Sequence, residues 1–243
     1  MRIIAFIGIL FLLSLHSNGQ DWFEGKAQWH YGSIKFDTVS GYYNSYCHMN
    51  ALRDTVVQGK DCYILTKSCY ACDCLVLEVI LHEENGVVQI FHNDSLEFDT
   101  LFNMNLNPGE SWSFTPNESI SSDTVKVNVT GNGQKIINGD TLKYIVVNTT
   151  GNTWFWGVDT IVEKIGPLHA YFFPQYFSCD PMNGNLRCYS DDSLGLYETG
   201  IVPYCTYEDV GINEFWSNLN IYPNPAQDYL IIENLPMENC RIS

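Results

Sequence analysis

The chain has 243 residues, enough for one domain with a small appendage and for a core that closes without stapling. Hydrophobic residues make up 45%, aromatics 14% and charged residues 16%, too apolar and too weakly charged for a disordered chain. Twelve Lys and Arg face 28 Asp and Glu, and the net charge of −16 repels phosphate backbones and anionic membrane surfaces, which excludes nucleic acid as a partner.

Residues 1–19 carry a positive charge at Arg2, an apolar run over 3–15, and then Ser17-Asn18-Gly19. That order is a signal peptide, with cleavage predicted between Gly19 and Gln20. The run is too short for a span with such flanks, and no later stretch approaches the ~20 apolar residues that a span needs. The mature chain is therefore expected to be exported and to contain no membrane span.

Residues 20–207 read as a β-rich body. Short alternating runs broken by Gly, Asn, Asp and Pro predict strands over 27–36, 42–49, 61–67, 75–82, 87–92, 96–102, 124–130, 141–147, 153–156 and 161–165. Val125, Val127 and Val129 alternate with Lys126, Asn128 and Thr130, so one face is buried and the other wet. Asn85-Gly86, Asn138-Gly139 and Gln58-Gly59 supply the positive φ angles of tight hairpins. The fold expected is all-β and antiparallel, either a β-sandwich or a curved, partly closed barrel. Alternation is lost over 177–207, which reads as a loop-rich, cysteine-bearing stretch packed over the sheet.

All nine cysteines follow the leader: Cys47, Cys62, Cys69, Cys72, Cys74, Cys179, Cys188, Cys205 and Cys240. Export places them in an oxidising compartment, so disulfides are the expected fate, with at least six of the eight in the body paired. Cys69, Cys72 and Cys74 alone have metal-ligand spacing, but a second Cys-x-x-Cys or a His pair is missing. His30, His48, His82, His92 and His169 form no metalloprotease or hydrolase motif, and they read as structural or surface groups. Neither a catalytic residue nor a cofactor is assigned. Trp154 and Trp156 flank Phe155 and share one sheet face, where they either stack on sugar rings or fill a core.

Residues 208–218 read as a linker. Beyond it, Ile221-Tyr222-Pro223-Asn224-Pro225-Ala226, followed by Asp228, Leu230 and Ile232, reads as a strand, a proline-fixed turn and a second strand. The Tyr222, Pro223, Asn224, Pro225 and Asp228 pattern resembles the opening of the C-terminal sorting domain of type IX secretion cargo. The resemblance implies a small β-sandwich sorting domain, recognition by the type IX machinery after export, and an extracellular or cell-surface location. The family continues through several more strands, so residues 219–243 are expected to be a truncated sorting domain. Gly59 to Tyr63, Gly109 to Trp112 and Val162 to Gly166 are similar to the bodies of uncharacterised proteins carrying the same tail.

Asp followed by Ser or Thr and then an apolar residue or Thr occurs eight times, against about 0.6 expected by chance, so composition does not produce it. The acceptors are Thr38, Thr55, Ser95, Thr100, Thr124, Thr141, Thr160 and Ser193. The triplet suits a turn that opens a strand, and it also resembles the O-glycosylation acceptor of bacteria that have type IX secretion. The leading expectation is a β-domain that binds a glycan, a matrix component or a surface protein. The alternatives are a secreted hydrolase with acidic catalytic residues and a ligand-free structural surface protein.

Overall fold

A computed structural model describes residues 22–23, 26–37, 41–68, 78–115, 124–150, 157–172, 184–209, 220–222 and 231–233. Fifteen strands are present among them: β1 (Gln28–Asp37), β2 (Gly41–Val57), β3 (Lys60–Ser68), β4 (Glu78–Glu84), β5 (Val87–His92), β6 (Glu97–Asn103), β7 (Ser111–Phe114), β8 (Val125–Ile137), β9 (Asp140–Thr150), β10 (Val158–Val162), β11 (Gly166–Pro167), β12 (Leu186–Asp191), β13 (Gly195–Glu198), β14 (Asn220–Tyr222) and β15 (Ile231–Glu233). The first thirteen form an eight-stranded sheet, β13-β12-β1-β2-β3-β4-β5-β6, and a five-stranded sheet, β11-β10-β9-β8-β7. One sheet curls into a half-barrel, and the fold is that of a β-sandwich. No helix among the described residues is long and apolar enough to cross a membrane.

Turn chemistry sets the meander. Gln58-Gly59, Asn85-Gly86 and Asn138-Gly139 all have positive φ at both positions, and each joins consecutive antiparallel strands. β8 shows why it takes its place: Val125, Val127 and Val129 are buried while Lys126 and Thr130 are exposed. The predicted strand over 153–156 lies outside the described residues. The stretch over 177–207 differs from its sequence reading, because β12 and β13 lie within it and extend the larger sheet. In β12 the four residues from Leu186 to Tyr189 are all buried, so both faces are covered and no alternation is visible in the sequence.

The core runs between the two sheets, with Trp22, Trp29, Tyr31, Phe102, Phe172 and Tyr189 among its largest fully buried side chains. Phe172 follows β11 and packs against Trp22, Phe23, Trp29 and Phe102, with ring centroids 5.0–6.0 Å away. Polar ties join the layers. Trp29 Nε1 donates to Ile165 O at 2.9 Å, Trp112 Nε1 donates to Leu101 O at 3.2 Å, and Asn138 Nδ2 donates to Leu194 O and Leu196 O. The buried Lys164 ammonium, in the β10–β11 turn, meets Asp191 at 3.3 Å and Ser193 Oγ at 2.6 Å.

The segment after β13 is clasped to the body. Cys205 is disulfide-bonded to Cys188, and Arg187 donates to Tyr207 O and to Ser45 O. Glu208 accepts from Lys35 and Ser45, and Asp209 N–H donates to Asn44 O at 2.8 Å. Glu208 and Asp209, read from the sequence as the start of the linker, are thus held against β1 and β2. The disulfide closes a loop of sequence separation 17, for which chain entropy predicts about 3 kcal/mol of stabilisation. Cys205→Ser should lower the melting temperature by several degrees in a calorimetric scan; an unchanged scan would show that the hydrogen bonds alone hold the clasp.

β14 and β15 form a two-stranded antiparallel sheet that shares no strand with the others. Ile221 pairs with Ile232 and Tyr222 with Ile231, so strand residues flank the Pro-Asn-Pro segment, which lies outside the described residues.

Candidate binding site

Lys67 places a cation on the apolar face of the larger sheet. Trp29, Met49 and Lys67 stand opposite one another on β1, β2 and β3, and opposed residues point to the same face. Lys67 therefore continues a row whose other members are a fully buried indole and thioether, and it keeps only 6% of its surface exposed. Its Nζ sits 5.2 Å from the centroid of the Tyr171 ring. Among the described residues no carboxylate lies within 4.0 Å of that ammonium. Burial pulls the Lys67 amine down to about 8, because water that would solvate the charge is excluded.

The Tyr171 ring beside Lys67 is fixed. Tyr171 Oη donates to Gly32 O at 3.0 Å and accepts from the Ser33 hydroxyl, so the ring has little freedom beneath the ammonium. Burial pushes the Tyr171 phenol up to about 12. Tyr31 packs on Tyr171 with centroids 5.2 Å apart. The buried Tyr31 hydroxyl faces the Phe172 N–H without a well-formed hydrogen bond. Arg187, nearby, donates through both Nη atoms to backbone carbonyls, Tyr207 O and Ser45 O. Sequence reasoning passed over Lys67, although its spacing from Leu65 placed it on the buried face.

A second polar site lies on the smaller sheet. Asp159 accepts N–H bonds from Thr160, Leu168 and His169, and also from His169 Nδ1 at 3.0 Å. The carboxylate is fully buried, while the His169 side chain is 59% exposed. Burial raises the Asp159 pKa, and its hydrogen bonds oppose that rise. The pair orients an imidazole as general bases require, but no hydroxyl or thiol is hydrogen-bonded to His169 among the described residues.

His30 and His48 stack on the opposite face of β1 and β2, with centroids 4.5 Å apart. Burial first, then the charges of His48 and Arg187, lower His30 to about 4; burial also lowers His48. Because the unfolded chain binds these protons near the ordinary pKa of about 6.5, acid favours unfolding from there down through about 4. The melting temperature should therefore fall as pH drops from 6.5 to 4, and less steeply in His30→Phe. Identical slopes for the two proteins would remove His30 as a cause.

Of the other residues singled out in the sequence, Trp154, Trp156, Cys69, Cys72, Cys74, Thr38, Pro223, Asn224, Pro225 and Asp228 lie outside the described residues. Tyr222 ends β14. Among the acceptor candidates, Thr124, Thr141 and Ser193 are exposed, while Thr55, Ser95, Thr100 and Thr160 are half-buried. Asp99 and Asp159 each accept from the N–H of the Thr that follows, at 2.7 and 2.6 Å, which is local turn chemistry. Cys47 is disulfide-bonded and Cys62 is a buried thiol whose pKa burial raises. Cys188, Glu198 and Cys205 cluster with ligand spacing, but both sulfurs are committed to the disulfide.

No protein family, no curated protein and no solved structure matches this chain.

Proposed function

We propose that the chain is an exported cargo of type IX secretion, released or displayed at the cell surface, whose β-body is a non-catalytic binding domain for a glycan, matrix component or surface protein. The leader over 1–19 and the Tyr222-Pro223-Asn224-Pro225 pattern support the route, and the β14–β15 pairing gives that pattern a strand on either side. The observation that carries binding is Lys67, a buried lysine with no carboxylate within 4.0 Å among the described residues. A buried ammonium without a counter-ion is costly, and such departures from core chemistry cluster at functional sites.

Fractionation of the native host tests the route. The parent protein should reach the medium or outer surface, and Pro223→Ala with Pro225→Ala should remain periplasmic; a periplasmic parent with the machinery intact would remove the secretion assignment. A hydrolase is the second reading, favoured by the exposed His169 imidazole on the buried Asp159. Turnover of any polysaccharide or ester that His169→Ala abolishes would replace binding with catalysis.

A further inference from the structure

We propose that His30 and His48, with the side-chain oxygen of Asn50, bind one borderline divalent transition ion, zinc or copper, on the outer face of the larger sheet. The site is separate from Lys67 and does not depend on the binding-domain reading.

Strand register brings the donors together. His30 and His48 are direct partners on β1 and β2, and Asn50 lies two residues further along β2, so all three share the face opposite to that of Trp29 and Met49. Trp29 and Met49 are fully buried, whereas His30, His48 and Asn50 are half-buried. The three donors therefore face outward, where an ion reaches them from solvent.

The spacing suits ligands better than a hydrogen bond. The Asn50 amide lies 3.4 Å from His48 Nδ1, longer than the ~3.0 Å at which N–H bonds cluster. Two ligands held about 2.0 to 2.1 Å from one tetrahedral ion stand about 3.4 Å apart. Half a turn of the amide puts Oδ1 in the place of Nδ2, and that oxygen carries the lone pairs a metal needs. The His30 and His48 ring centroids are 4.5 Å apart. Two imidazoles on one such ion have centroids about 5 Å apart, so the stacked rings need only splay to share it.

Donor chemistry selects the metal. Imidazole suits zinc and copper, while calcium and magnesium take oxygen-rich shells that one amide oxygen does not supply. The net charge of −16 favours a cation, and Glu198, opposite Cys188, which is itself opposite His30, adds an exposed carboxylate to the same face.

The test is calorimetric titration of the secreted chain with zinc chloride, with magnesium chloride as the hard-ion control, and electron paramagnetic resonance of the copper-loaded protein. The parent should bind zinc and ignore magnesium. His30→Phe and His48→Phe should each weaken zinc by at least about 10- to 100-fold, since losing a ligand costs no less than losing its outer partner. Asn50→Asp, which supplies a carboxylate oxygen at the same place, should tighten it; an unchanged affinity there removes Asn50 from the shell. The copper spectrum of the parent should show coupling to two imidazole nitrogens, a readout that requires neither Phe variant to fold. A parent that takes up no zinc, an affinity unchanged in both Phe variants, or a copper spectrum with fewer than two such nitrogens overturns the proposal.

Discussion

Gly184→Ala should be the most damaging glycine-to-alanine change among the described residues. A Cβ at Gly184 would stand 1.4 Å from Gly32 O and 2.1 Å from Gly32 C, and these are backbone atoms of β1 that cannot rotate away. Just beyond, Gly32 N–H donates to Asn185 O at 2.9 Å, at the point where β12 slips register against β1. Alanine would have to push the start of β12 off β1. The strand carrying Arg187 and Tyr189 would lose its docking, at a cost of about 3 kcal/mol or more. Gly131→Ala is the control, since a Cβ there meets only Val146 carbons at 3.6 Å and should shift stability by no more than about 1 kcal/mol. Urea unfolding of both proteins decides it, and similar midpoints would contradict the packing of β12 on β1.

Lys67→Met should make the protein more stable. Methionine keeps the unbranched shape that fills the row beside Met49, and it removes a largely desolvated ammonium that has no carboxylate partner among the described residues. The gain should be about 1 to 3 kcal/mol, seen as a higher urea midpoint at constant slope. Its pH dependence has a definite sign. The folded-state pKa is about 8, below the ordinary lysine value near 10.5, so the charge penalty is complete below 8 and fades as pH rises towards 10.5. The variant's advantage should shrink over that window. A variant less stable than the parent at pH 7 would mean that the ammonium is paired.

Strand positions were legible where the two sheet faces differ. β8 alternates cleanly because one face meets the core and the other meets water, and the Asn-Gly turns declared their hairpins through the φ angles that only a few residues tolerate. β12 was illegible for the opposite reason: Arg187 and Cys188 are buried along with Leu186 and Tyr189, so polarity does not report its faces. The clasp over 199–209 was equally hidden, since its bonds run from Arg187 and Ser45 to backbone and side-chain groups far along the chain. Lys67 shows a third limit. Its place on the inner face followed from alternation with Leu65, but the absence of a counter-ion is a three-dimensional fact that no local pattern carries.

The most direct measurement is an array of glycans, matrix components and surface proteins probed with the protein collected from its own secreted fraction. The account predicts selective retention on at least one of them, without turnover. A protein retained by none, or one that degrades what it meets, would contradict it.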